Sequence, residues 1–328
     1  MEAEPGFDSK GRRLRAEPVT TRSKLMLEVA SELVSRRDWD EKQSTIHLRR
    51  QGAGDWAYTL FASDTPDGID AVVRGEADVA IVNPAEPLTL AYRGTGPYKE
   101  PQPVRVITNI PSYDQFAFGV TARTGLTSLA EIRGRRYPLR VSLRGQPDHS
   151  VHFMLDLVLK VAGFSLDDLK AWGGEVRYDP GLPNVDGRIG AVARGEVDAI
   201  FDEAVGVWAN QALDLDMRLL AVDEPIRRAL EDMGWRFSVM PKANYPKLAA
   251  DLPMPDFSGW PVFCRADASD AFVTAFCDAL DERRDRIPWQ GTGPLPLETM
   301  CQDRPANPLD VPLHPAAERY WRQRGYLT

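Results

Sequence analysis

The sequence is poor in cysteine, in positive charge and in long apolar runs. Three cysteines occur in 328 residues. They are Cys264, Cys277 and Cys301, far apart and without a CxxC. An odd number cannot close a disulfide framework, and Cys277, inside an apolar helical pattern, reads as a core residue. The net charge is −8. Phosphate binding needs a basic face, so no nucleic-acid partner is expected. A small anion held by one or two local arginines is not excluded. No apolar run approaches the roughly 20 residues of a membrane helix, so no direct membrane insertion is expected. Ser150 and Cys264 stand in no G-x-S-x-G elbow and no linked His/Asp order, and no catalytic residue is assigned. The N-terminal MEAEPGFDSKGRRLRAEP has acids at its front and no apolar h-region. As written, the chain is expected in the cytoplasm, or in the periplasm if a secretion signal has been removed.

What is present is ordinary for a globular α/β protein: 43% hydrophobic and 27% charged residues, with length enough for two domains. The organising feature is a repeat. Residues 69–81 read IDAVVRGEADVAI and residues 189–201 read IGAVARGEVDAIF, an offset of 189 − 69 = 120. Ile69/Ile189, Ala71/Ala191, Val72/Val192, Arg74/Arg194, Gly75/Gly195, Glu76/Glu196 and Asp78/Asp198 are identical without a gap. Each copy reads as an apolar-periodic helix closed by a left-handed glycine. A short run then fits a buried parallel strand. Polar residues follow: Asn83 after the first strand, Asp202 and Glu203 at the end of the second. Ligands of open α/β sheets bind beyond the carboxyl ends of strands, so two such units place two polar rims face to face.

Along the chain, Leu14–Val19 is expected as a first strand. Thr20, Thr21, Arg22 and Ser23 follow as a loop capping the amphipathic helix LMLEVASELVSRR, where hydroxyls, amides and the helix dipole can meet an anion. Thr45–Arg49 is a second strand and Gln51–Asp55 a glycine-containing loop. Val104–Asn109 and Phe116–Val120 are strands, with the crossing between lobes at Ser112–Gln115. Leu139–Leu143 is a strand that leads through Arg144–Ser150 into the helix VHFMLDLVLKVAG. Met240–Pro255 reads as loop, and residues 288–312 are Pro-rich. The expected boundaries are 13–112 for the first lobe, 113–222 for the second, and 223–328 for the return to the first lobe and the C-terminal helices.

Several of these stretches resemble the substrate-binding proteins of the TAXI type, the binding subunits associated with tripartite (TRAP) transporters. AVVRGEADVAIV is similar to that family's first-lobe segment. TSLAEIRGRR (127–136) and the strand, loop and helix of Leu139–Phe164 are similar to its second lobe. VPLHPAAERYWRQRG (311–325) is similar to its C-terminal motif. The likeness implies a two-lobed type 2 periplasmic-binding-protein-like fold, each lobe a mostly parallel sheet flanked by helices, with a ligand cleft between lobes and closure about a hinge. It also implies a membrane permease as partner. The loops Thr20–Ser23 and Arg144–Ser150 depart from the family's Gly/Ser pattern, so its amino-acid or dicarboxylate ligand is not carried over.

The candidate ligand-binding residues follow from this layout. Arg144, after a strand and before a helix, can grip a carboxylate bidentately, and Arg22 has the same place in the other lobe. His149 can donate to an anion, with Gln146 and Asp148 beside it. His149 and His152 are three apart, but no further metal ligand is evident, and neither a metal nor a cofactor is expected. Glu203 can bind an amino group, act as a base, or pair with a cleft arginine. Tyr113 can stack on a ligand at the crossing, and Asn83 faces Glu203. The expected function is closure on a small, carboxylate-bearing organic acid for transport or sensing. The alternative is a cytoplasmic decarboxylase or dehydratase on the same fold.

Overall fold

The computed structural model describes residues 18–35, 43–49, 57–63 and 65–327. The chain divides into two compact units, Met1–Gln43 and Ser44–Thr328. In the first, residues Pro18–Ser35 form one helix. Val19 is helical rather than extended, and Thr20, Thr21, Arg22 and Ser23 lie inside the helix rather than in a loop before it. Pro18 is the reason: its fixed φ suits a first helical position, and its missing N–H costs nothing there. The anion-binding loop expected at 20–23 is therefore absent. Residues 14–17 of the expected first strand and the expected loop Gln51–Asp55 lie outside the described residues.

In the second unit the described strands are, in order, β1 (Ser44–Arg49), β2 (Ala57–Ala62), β3 (Val79–Ile81), β4 (Val104–Ile110), β5 (Ala117–Thr121), β6 (Arg140–Arg144), β7 (Glu175–Asp179), β8 (Ala199–Asp202), β9 (Met217–Leu219), β10 (Phe237–Met240), β11 (Leu252–Pro255) and β12 (Trp260–Arg265). They build two five-stranded sheets, ordered β1-β2-β3-β12-β4 and β7-β6-β8-β5-β9, and a two-stranded ribbon, β10-β11. Both five-stranded sheets are mixed. β2–β3, β6–β7 and β6–β8 are parallel. β12 runs antiparallel to β3 and β4, and β5 runs antiparallel to β8 and β9. β5 and β12 are the strands that arrive from the other lobe, and each enters its sheet against the direction of the strands already there.

The repeat builds the same corner in both lobes. Gly75 and Gly195 have φ of +73° and +74°. In the first copy Gly75 N donates to Val72 O at 3.0 Å and Glu76 N to Ala71 O at 2.8 Å. In the second, Gly195 N donates to Val192 O and Glu196 N to Ala191 O, both at 2.9 Å. This is a helix ending that a left-handed residue makes possible. The Arg of each copy pairs with its own Glu, Arg74–Glu76 at 2.9 Å and Arg194–Glu196 at 2.6 Å. The helices themselves differ. Asp67–Val73 is α-helical, whereas the second copy opens with a π turn over Asp186–Gly190.

Strand alternation divides the first lobe's core. Along β12, Val262 and Cys264 pack with Ile107, Val273 and Trp321 on one face. Phe263 packs with Ile69, Val72 and Val106 on the other. The second lobe has one core, which contains Phe118, Ile200 and Trp208 and also Ile226, Leu230, Trp235 and Met254. Residues 223–255 thus belong to the second lobe, and the return comes at Asp256–Gly259 rather than after residue 222. The stretch Met240–Pro255 is not all loop either, since β11 pairs with β10. Pro253 and Pro255 are tolerated because a two-stranded ribbon leaves one side of each strand unpaired. All three cysteines are buried and free. No described helix is long and apolar enough to cross a membrane.

Candidate functional site

Two short crossings join the lobes, and they pair with each other. Phe116 N donates to Pro255 O at 2.9 Å, Phe257 N to Asp114 O at 3.0 Å, and Gly259 N to Ser112 O at 2.8 Å. Ser258 Oγ accepts from Asp114 N at 3.0 Å and lies 2.7 Å from Asp256 Oδ1.

Beside these crossings lies a cleft of about 410 Å³. Asn83 of the first lobe and Glu203 of the second both line it, with Tyr113 and Asp114 from one crossing and Phe257 and Trp260 from the other. Asn83 and Glu203 occupy equivalent places in the repeat, since 203 − 83 = 120. The two strand ends therefore face a shared crevice. A hollow of about 700 Å³ lies elsewhere, on the second lobe near Arg133, Arg136 and Trp172. It touches neither strand end and neither crossing.

Glu203 rests on a buried charge network. Arg144 ends β6, and its Nη2 and Nε reach Asp202 Oδ1 and Oδ2 at 2.8 and 3.3 Å. The same Nη2 also donates to Glu203. Arg188, from the π turn, is fully buried and pairs with Asp202 from the other side. Its Nε donates to Ser142 Oγ at 3.1 Å and its Nη1 to Gly181 O at 3.2 Å. The expectation that Arg144 offers a free fork to a carboxylate is thus corrected: Asp202 and Glu203 already hold it. Their charges raise the guanidinium's pKa further, against the effect of burial.

Asp114 ties the first crossing to this network. Its carboxylate accepts from Ala204 N at 2.7 Å, Val205 N at 3.1 Å and Gln115 N at 2.8 Å. It thereby caps the helix Val205–Asp214 from the crossing. Ala204, with φ of +56°, adopts the left-handed conformation that turns its N–H to Asp114. Such a conformation in a non-glycine residue costs about 1–2 kcal/mol and is typical of functional corners. Burial, with Glu203 alongside, holds Asp114 well above the usual carboxylate range. Burial and the Asp202 charge raise Glu203 too, against the pull of Arg144. Two adjoining buried carboxyls cannot both ionise freely, so the pair titrates as a unit and retains a proton above the ordinary range.

The remaining expected residues fall as follows. Tyr113 stands at the cleft's edge, half exposed, and its hydroxyl donates to Val239 O at 2.9 Å. His149 is buried at the start of the helix Ser150–Ala162, where its Nδ1 accepts from Val151 N at 3.1 Å. His314 does the same for the helix Pro315–Gln323. Gln146 offers its carbonyl to His152 Nε2 at 2.9 Å, and Asp148 is exposed. Neither Gln146, Asp148 nor His149 is among the described residues that line the cleft. Among the described residues no group of three His, Cys, Asp or Glu side chains is placed to hold a metal.

Sequence reading passed over Asp114, Arg188, Phe257 and Trp260. Asp114 carries a signal, as the acid within the crossing Ser112–Gln115. Arg188 had one that goes unused by simple matching: its counterpart in the first copy is Gly68, and that of Asp202 is Val82. A base and an acid replace two apolar-compatible residues together.

The profile described as the NMT1-like family matches residues 65–325. No curated protein matches the chain. Solved structures resemble it partially. One, titled a periplasmic transporter, shares 14% identity over 65% of this chain and 67% of its own, with a TM-score of 0.29. PhnD1 from Prochlorococcus marinus, in complex with methylphosphonate, shares 14% over 69% and 70%, with a TM-score of 0.35. A periplasmic sulfonate-binding protein from Methylobacillus flagellatus shares 12% over 66% and 53%, with a TM-score of 0.28.

Proposed function

The chain belongs to the NMT1-like family, and from that premise we propose that it is a solute-binding protein whose two lobes close on a small organic molecule beside the hinge. The observation that carries this reading is the cleft itself, walled by Asn83 and Glu203 and floored by both crossings. Its volume lies within the 300–1,000 Å³ typical of small-molecule sites. The narrower assignment, to a TAXI-type subunit serving a tripartite transporter's membrane permease in the periplasm, rests on the sequence likeness at 127–136 and 311–325. The carboxylate ligand expected from Arg144 is not part of the proposal, because that guanidinium is occupied.

A thermal-shift screen of small polar molecules tests the reading. A ligand present at 100 times its Kd stabilises the native state by about 2.7 kcal/mol. Gly206 lines the cleft, and a Cβ added there meets no atom within 4 Å. Gly206→Leu is therefore expected to fold, to fill the cleft, and to abolish the shift produced by any hit. A hit that shifts Gly206→Leu as much as the parent protein contradicts the site.

A second reading has one observation in its favour. The Asp114–Glu203 pair, holding a proton in a cleft, is a set of groups suited to general acid–base work. On that reading the protein is an enzyme that decarboxylates or dehydrates its ligand. Mass spectrometry of a bound hit after incubation separates the two: an unchanged ligand supports binding, a consumed one supports turnover.

A further inference from the structure

We infer that the ligand of this cleft presents an N–H-donating group, an amine or a flat amidine, to the Asp114–Glu203 pair and carries no free carboxylate. The inference deepens the proposed solute-binding role and depends on it for the location of the site. Among the described lining residues the only charged side chains are Asp114 and Glu203, and no Lys, Arg or His lines the cleft. The nearest guanidinium, Arg144, lies against Glu203 and Asp202 and is buried with them. The lining hydroxyls are also engaged as donors. Ser112 Oγ donates to Gln290 Oε1 at 3.2 Å, and Tyr113 to Val239 O at 2.9 Å. An incoming carboxylate therefore meets two acids, and the one described guanidinium beside them is already shared between Glu203 and Asp202. An N–H group meets acceptors, and a like charge is not forced against a like charge.

Two further features refine the class. Trp260 Nε1 is buried and has no hydrogen-bond partner among the described residues. It is a buried donor left over on a residue that lines the cleft. Tyr113, Phe257 and Trp260 give the cleft aromatic surface, which suits a flat organic cation through its faces. The structure thus favours a molecule with donors at one end and an unsaturated body.

Benzamidine and benzoate test this directly, being close in shape and opposite in charge. Titration calorimetry at millimolar concentrations is expected to show benzamidine binding at least tenfold more tightly than benzoate. Glu203→Gln, which leaves Arg144 its Asp202 partner, is expected to weaken benzamidine at least tenfold, and Gly206→Leu to abolish its binding. The comparison of the two probes on the parent protein needs no variant to fold. Benzoate binding more tightly than benzamidine, with both lost in Gly206→Leu, overturns the donor assignment and leaves the cleft intact. Failure of both probes, while a screening hit of another class is blocked by Gly206→Leu, does the same. Benzamidine binding unchanged in Gly206→Leu overturns the cleft as well.

Discussion

Arg188→Leu is expected to destabilise the protein by about 3–5 kcal/mol, the range seen when one partner of a buried ion pair is removed. Arg188 and Asp202 are both fully buried. Removing the guanidinium leaves Asp202 to share Arg144 with Glu203, and two acids then face one cation. It also strips the donor from Gly181 O and from Ser142. The urea midpoint is expected to fall with the slope unchanged. The repeat supplies the compensating variant. Val82 stands where the second copy has Asp202. Arg188→Leu combined with Asp202→Val removes both charges, and Arg144 keeps Glu203. The double variant is expected to be more stable than Arg188→Leu alone, because a buried pair replaced by apolar residues is often near neutral. A loss under about 1 kcal/mol for the single variant contradicts the role given to this network.

The second large effect concerns pH. Glu86 is buried in the first turn of the helix Glu86–Arg93, and its Oε2 has no hydrogen-bond partner among the described residues. Burial, then the neighbouring Asp256, holds its carboxyl well above the usual range. Asp256, on the returning crossing, is raised by burial too. A carboxyl raised in the folded state stabilises it most below the unfolded pKa of about 4.3, where both states are protonated. That stability is lost as pH rises through the folded value, at about 1.4 kcal/mol per pH unit for each group. Asp114 and Glu203 act in the same direction. Asp198 and Asp303, whose pKa values are lowered, act oppositely only below pH about 4, and His314, lowered by burial, acts oppositely as pH rises toward about 6.5 but is one group against four. Melting temperature is therefore expected to fall from pH 5 to pH 8. Glu86→Gln should raise it at pH 8 and flatten the slope. A parent protein that grows more stable over that interval contradicts the assignment.

The parts of this fold that were legible in the sequence are those fixed by local pattern. The repeat predicted both left-handed glycines, both strand ends, and Asn83 opposite Glu203. The illegible parts depend on contacts distant in the chain. Arg144 follows a strand and precedes a helix, the mark of an anion site, yet its acid partners lie 58 and 59 residues on. His149 looked available for a ligand, but local capping by its own ring engages Nδ1. Nothing in 223–255 marks which sheet it joins, so sequence pattern alone puts the return to the first lobe after residue 222. Only Leu230, Trp235 and Met254 packing in the second core decide it. At Thr20–Ser23 a cap-rich run was read as loop, although Pro18 already supplied the helix start. Where the two copies agree, they specify backbone. At three further positions, Gly68/Arg188, Val82/Asp202 and Asn83/Glu203, the second copy carries the charges that gather beside the cleft.

The native cysteines are buried, so a thiol introduced in the cleft can be modified selectively. Asn83→Cys on one wall and Val207→Cys on the other should both react with a maleimide, as should the outlying Lys160→Cys. A saturating ligand taken from the thermal-shift screen is expected to slow modification at both cleft positions at least tenfold and to leave Lys160→Cys unchanged. Protection at one wall alone, or at neither, would mean that the ligand does not lie between the lobes.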